Sequence, residues 1–298
     1  MFDHEKGDLM SKELTHYGIL GMKWGVRRYQ NYDGTLTEAG KSRRINGVAK
    51  GSPMTAEEAD SGNCNPNKPD RWYDPEEYKT QMAEKGGYLY NCQNCAVTYE
   101  SRVRGYDVVA ASRSNNPTAD MIQDDISKAF IDPTTGKPPI VKKFDCDVSE
   151  AKVNRFNELW SDDDFYSDPK KGDELDKIFA DDSKNRSDVD GYVTDTIKPG
   201  ERYLVKTKTF DYDTTGDYRE HYLVVDWTNS KEPLAIETQS TWSDPDTIPM
   251  YQSDANKRHY VESFGTDDGL LLGIELTRVD NCDLNYDVVE KVTERSKR

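Results

Sequence analysis

The run from Asn91 to Ala111, NCQNCAVTYESRVRGYDVVAA, constrains this chain more than any other stretch. Cys95 to Arg104 reads as a helix, Gly105 ends it, and Tyr106 to Ala111 reads as a strand. A helix closed by a single glycine and followed at once by a strand must fold back on itself. The surroundings are polar: only 34% of the 298 residues are apolar, so part of the length is expected to be loop or tail. Eighteen Tyr, 8 Phe and 5 Trp supply enough bulk for one core rather than two.

The remaining segments follow a simple order. Residues 1–45 form a distinct unit, dense in Gly, aromatics and cations, and residues 46–70 read as a linker ending in turns. Residues 71–298 then form the main domain. Asp74-Pro75-Glu76-Glu77 looks like a helix N-terminus, and the polar middle from 112 to 195 is expected to hold short helices around Asn157–Trp160 and Glu174–Phe179. Strands are expected at Arg202–Phe210, His221–Trp227, Pro233–Glu237 and Leu270–Thr277, with a charged helix over Tyr286–Lys297. Helices first and strands later predict an α+β fold.

Charge and cysteine usage exclude several classes. The net charge is −16, yet residues 1–50 carry nine Lys/Arg against six Asp/Glu. The body is therefore strongly acidic, which argues against nucleic acid as a partner. Five cysteines (Cys64, Cys92, Cys95, Cys146 and Cys282) do not make a secreted disulfide framework. Neither a signal peptide nor a membrane-spanning apolar run is visible, so a soluble protein of the host bacterial cytoplasm is expected.

The chemistry concentrates at Cys92-Gln93-Asn94-Cys95. Cys95 is expected at the start of the helix, where unpaired N–H groups and the helix dipole favour a thiolate and can hold an oxyanion. The same pair could instead be a zinc half-site, a redox pair or two buried thiols. Zinc would need two further ligands, and neither a second pair nor a histidine cluster stands at suitable spacing, so no metal or cofactor is expected. A redox pair would want a preceding strand, which the polar residues 58–90 do not offer. A nucleophilic thiol needs a base. His4, His16 and His259 lie in the arm or in a charged stretch, whereas His221 opens the apolar strand HYLVVDW, 126 residues after Cys95. The next strand ends Ile236-Glu237-Thr238-Gln239, so Glu237 or Gln239 is the candidate to orient the imidazole.

Two resemblances rest on these residues. Asn65-Pro66-Asn67 with NCQNCAVTYESRVRGYDVVA resembles papain-fold toxin domains of polymorphic toxins and prophage proteins, many described as glutamine deamidases; the likeness covers roughly residues 63–285. It implies a papain-like fold with an N-terminal catalytic helix and a strand-rich antiparallel half. It also implies Cys95 as nucleophile, His221 as base and Glu237 or Gln239 as the third member, acting on a host protein. Three positions depart from the family pattern: Glu220 replaces a glycine, Glu237 an aspartate and Thr238 a proline. The stretch HYGILGMKWGVRRYQ (16–30) is similar to a short module of phage structural proteins, which implies that residues 1–45 contact capsid or head proteins of a virion. The resulting expectation is a phage-borne cysteine amidohydrolase effector, a deamidase ahead of a protease. The alternative is a virion component whose papain-like domain is inactive or accessory.

Overall fold

Two-sided burial shapes the strand-rich half. In Tyr203-Leu204-Val205 and Tyr222-Leu223-Val224-Val225 almost every residue is apolar, as expected of strands covered on both faces. The computed structural model describes residues 44–59, 61–68, 80, 86–88, 90–113, 122–160, 168–211, 218–229, 233–239 and 269–297. The chain divides at Arg43/Arg44, and the described residues all belong to the second unit, Arg44–Arg298. The expected helix start at Asp74-Pro75 lies outside them.

In chain order the elements are β1 (Arg44–Ile45), β2 (Val48–Ala49), α1 (Ser61–Cys64), α2 (Cys92–Val103), β3 (Val108–Ala110), β4 (Phe130–Ile131), β5 (Val141–Asp145), α3 (Glu150–Trp160), α4 (Pro169–Thr196), β6 (Arg202–Asp211), β7 (Tyr218–Asp226), β8 (Leu234–Ile236), β9 (Gly269–Arg278), β10 (Asp283–Leu284), α5 (Tyr286–Val292) and β11 (Thr293–Arg295). A five-stranded antiparallel sheet runs in the order β5-β9-β6-β7-β8. Strand alternation sorts its residues into two cores. Leu204, Tyr222, Val224 and Ile236 join Ala96, Val97 and Tyr99 of α2 in one. Tyr203, Val205, Leu223 and Val225 join Val189 and Val193 of α4 in the other. Mixed helices and antiparallel sheet make this an α+β chain.

Three expectations change. The middle holds a long helix, not only short ones: α4 runs 28 residues, capped by Asp168, whose carboxylate accepts the Lys170 N–H at 3.0 Å, with Pro169 at its first position. The C-terminal helix stops at Val292, and Thr293–Arg295 becomes β11, pairing antiparallel with Val108–Ala110. The backbone of β3 needs a ladder partner, and tertiary pairing overrides helix propensity there. The expected linker over 46–70 is, in its described part, packed structure. Ile45, Ala59 and Cys64 are fully buried in the α2 core, and Asn46 Nδ2 donates to the Thr293 carbonyl at 2.7 Å. Gly105 holds this segment against α2: its φ is +100°, and a side chain there would meet the Gly51 carbonyl oxygen at 2.4 Å. The boundary falls near residue 44, not 70.

Helix α2 is buried from Cys92 to Arg102 and carries a full charge inside. Glu100, 0% exposed, takes Arg202 Nε of β6 at 2.6 Å and Arg104 Nε at 2.7 Å. Arg202 also reaches Asp226 of β7 at 3.0 Å, and the Tyr99 hydroxyl donates to the same Asp226 oxygen at 3.2 Å. Burial pushes the Asp226 carboxyl up, but Arg202 and the Thr228 hydrogen bonds outweigh it and hold it below the usual carboxylate range.

Two predictions follow from this packing. A chain beginning at residue 44 should fold, whereas one beginning at residue 60 loses Ile45 and Ala59 from the core. Its thermal midpoint should drop by about 10 °C in circular dichroism melts; equal midpoints would make residues 44–59 a mere tether. Arg202→Met should cost about 3 kcal/mol by urea unfolding at pH 7, because Asp226 loses its cation inside the protein. The difference from wild type should shrink as pH falls from about 3.9, where the unfolded carboxyl titrates, through the lower Asp226 titration of the folded protein.

Candidate active site

Asn91 precedes the first residue of α2 but does not cap it with its side chain. Its amide is spent on tying other segments together. Nδ2 donates to the Ala111 carbonyl at 3.0 Å, and Oδ1 accepts from Asn65 Nδ2 at 3.3 Å, from Gln239 Nε2 at 3.4 Å and from the Cys95 thiol at 3.4 Å. Three segments far apart in sequence therefore meet under the start of one helix.

The helix begins at Cys92, one turn earlier than the sequence suggests, and this changes the role of each thiol. The Cys95 N–H donates to the Asn91 carbonyl at 3.0 Å, so it is an ordinary helical amide and cannot serve an oxyanion. Cys95 is 0% exposed. Burial pushes its thiol well above the usual range, and neighbouring Cys64, Cys92 and Glu237 push it further. The structure thus places Cys95 inside α2 and buried, not at the helix start that the sequence suggested. Cys92 holds the first helical position, where its N–H has no acceptor within the helix, and it keeps 8% exposure. Its side chain neighbours the His221 imidazole and acts on its titration.

The histidine comes from β7 and its partner from the residue after β8. The antiparallel register Val224↔Ile236 brings the end of β8 back beside the start of β7, as the short connection between them predicts. Glu237 Oε2 lies 2.5 Å from His221 Nε2, and Glu237 Oε1 accepts the Gln239 N–H at 2.7 Å. With Nε2 engaged, Nδ1 is the nitrogen left for the thiol. Burial acts to lower the imidazole pKa, but the Glu237 carboxylate and the Cys92 hydrogen bond prevail, and it stands well above its ordinary value. Of the two candidates for third member, Glu237 contacts the imidazole, while the Gln239 side chain contacts Asn91 instead. Among the departures, Glu220 is held by Lys206 at 2.7 Å, and Thr238 is fully buried.

Cys92 and Asn91 are the residues that the sequence reading passed over. Asparagine is a favoured residue just before a helix, so placing Asn91 there would have put Cys92 at the first position. Two further thiols are held in their protonated form: burial pushes Cys146 up to about 12 and Cys282 up to about 11. Among the described residues no group of three or more His, Cys, Asp or Glu could hold a metal ion, and no helix is long and apolar enough to cross a membrane. His4, His16 and His259 lie outside the described residues.

In comparison with known proteins, residues 8–31 are similar to a family of unknown function (DUF7211). No curated protein and no solved structure matches the chain.

The geometry predicts which thiol reacts. Iodoacetamide at pH 6 should label Cys92 first and leave Cys95 unmodified, and His221→Ala should slow that labelling at least about tenfold by removing the base beside the sulfur. Preferential labelling of Cys95 would overturn the assignment. Glu237→Gln should shift the His221 imidazole titration, followed by NMR, to lower pH. The stability that Glu237 lends through the imidazolium should be fully present below about pH 6.5 and vanish as pH rises through the raised His221 titration.

Proposed function

We propose that this chain is a cysteine-dependent amidohydrolase of papain-like fold, with Cys92 as nucleophile, His221 as general base and acid, and Glu237 as the group that orients and charges the imidazole. The observation that carries the reading is the meeting of three elements at one point. The Cys92 thiol stands at the first position of a buried helix and neighbours an imidazole that a carboxylate grips at 2.5 Å. A thiolate beside an imidazolium, formed when the thiol passes its proton to the ring, is a nucleophile for a carbonyl carbon. The resemblance of residues 63–285 to papain-fold toxin domains supports the same fold and chemistry.

In the proposed reaction the Cys92 thiol gives its proton to the neutral His221 imidazole, and Sγ bonds to the amide carbon while the carbonyl π pair moves to oxygen. Collapse expels the amine, which takes its proton from His221, and leaves a thioester on Cys92. Water, deprotonated by His221, then attacks the thioester and restores the thiol. The substrate favoured here is the side-chain amide of a glutamine on a host protein, giving glutamate and ammonia. A thiol only 8% exposed is reached more readily by a slender side chain than by a backbone laid along a cleft. Residues 1–43 are proposed to address the enzyme to a phage particle or assembly partner, a reading supported by the likeness of 16–30 to phage structural proteins.

Peptide mass spectrometry of bacterial lysate exposed to the wild type and to Cys92→Ala tests the proposal. The expected result is a set of glutamine-to-glutamate conversions with intact backbones, present only with the wild type. New peptide termini would mean a protease of the same mechanism. No difference between the two samples would favour a virion component with an inactive domain.

A further inference from the structure

Two cysteines share the first turn of α2, Cys92 at its first position and Cys95 at its fourth, and neither is in a disulfide. A disulfide needs Cα atoms about 4.4–6.8 Å apart and Cβ atoms about 3.5–4.5 Å apart. Three positions apart on an α-helix, Cβ atoms stand about 5–6 Å from each other, so the turn holds the two sulfurs close without joining them. Tightening the turn towards 3₁₀ geometry brings side chains at this spacing into line. The first turn can tighten at low cost, because the Cys92 N–H has no acceptor within the helix. Each thiol donates a weak hydrogen bond to a side-chain amide, Cys92 to Gln93 Oε1 at 3.5 Å and Cys95 to Asn91 Oδ1 at 3.4 Å. A third thiol, Cys64 of α1, acts with Cys92 on the Cys95 titration, but it comes from a separate segment and donates to the Ala59 carbonyl at 2.9 Å.

Exposure gives the two thiols different parts. Cys92 keeps 8% exposure and has the His221 imidazole beside it, so an oxidant meets this sulfur first, whereas Cys95 is 0% exposed. Resting on the assignment of Cys92 as the reactive thiol, though not on the substrate it attacks, we propose that Cys92 is a site of reversible oxidation by peroxide, with Cys95 as the resolving thiol that closes a Cys92–Cys95 disulfide and shuts off the nucleophile. In the first step the Cys92 thiolate attacks one oxygen of hydrogen peroxide. The O–O bond breaks, and the departing hydroxide takes up the proton that Cys92 had passed to His221. The product is a sulfenic acid on Cys92. In the second step Cys95 Sγ bonds to that sulfur, the S–O bond breaks, and hydroxide leaves as water with the Cys95 proton. Two thiols and one peroxide thus become one disulfide and two waters. Burial keeps Cys95 protonated, so it does not compete for the oxidant and reacts only when an electrophilic sulfur stands next to it. A bridge that needs the turn tightened is strained, and strained disulfides are the readily reduced, regulatory ones.

The test treats the reduced full chain with hydrogen peroxide, labels it with iodoacetamide with or without dithiothreitol in between, and maps the products by peptide mass spectrometry. The expected result is that the peptide carrying both cysteines loses two hydrogens. Cys92 labelling should fall at least about tenfold after peroxide and return to within about twofold after dithiothreitol. Cys95→Ser, which keeps the size and a donor for Asn91, should label at Cys92 as the wild type does before peroxide. After peroxide its Cys92 should carry two added oxygens that dithiothreitol does not remove. Cys95→Ala should behave in the same way, and Cys64→Ala should behave as the wild type. A wild type that gains oxygens at Cys92 without a bridge overturns the proposal. A bridge from Cys92 to Cys64 does so too, as does a Cys95→Ser chain that recovers as fully as the wild type. A Cys92 that iodoacetamide fails to label before peroxide removes the reactive thiol, and the proposal with it. A Cys92–Cys95 bridge in a chain that changes nothing in the lysate supports the proposal and refutes the amidohydrolase reading alone.

Discussion

A carboxylate without solvent contact, Glu100, can exist inside this protein only if cations come to it, and Arg202 and Arg104 do so. That requirement fixes more than a local contact. Taking such ions out of water costs several kcal/mol each, so a displaced arrangement that leaves Glu100 unpaired is strongly disfavoured. Helix α2 therefore cannot rotate or slide against β6 and β7 without breaking the cluster of Glu100, Arg202, Asp226 and Tyr99. The consequence appears at the far end of the same two elements. Tyr99 meets Asp226, and Cys92 meets His221, so helix and strand run alongside each other in the same direction from the site to the ion cluster. The charged cluster acts as the anchor of a two-point attachment whose other point is the reactive one.

The two cysteines of the pair illustrate how one turn of helix separates functions. Cys92 and Cys95 differ by three positions, yet one has a free helical N–H and an imidazole neighbour, and the other has a bonded N–H and surroundings that keep its proton on. Burial disfavours a thiolate at Cys95, and the opposing pull of Lys68 is outweighed. At His221 the same penalty is outweighed, because Glu237 supplies the opposite charge at hydrogen-bond distance.

Beneath the thiol lies a second support, made of neutral amides. Asn65, Asn91 and Gln239 bond to one another across three separate segments, and Asn65 also reaches the Tyr88 and Gln239 carbonyls at 2.9 and 3.3 Å. Amides carry both donors and acceptors, so they can close such a junction without bringing further charge near the imidazolium. This junction explains why residues 44–68 belong to the domain. Asn65 forms part of the floor under the start of α2.

The amino-acid sequence by itself determined the elements whose residue types leave little choice. Apolar runs long enough for two-sided burial made the strands at 202, 221, 233 and 270, a glycine closed α2, and a short connection made the β7–β8 hairpin that brings Glu237 to His221. These are local signals, and period, length and turn chemistry express them. Only the tertiary structure decided which cysteine faces the histidine, because a one-turn shift in the start of a helix leaves the sequence pattern intact while exchanging the neighbours of every side chain. It also decided that polar residues 44–68 pack rather than tether, and that Thr293–Arg295 leave the helix to pair with β3. Those outcomes depend on partners more than a hundred residues away along the chain, whose demand for a ladder partner or a buried hydrogen bond no local composition records.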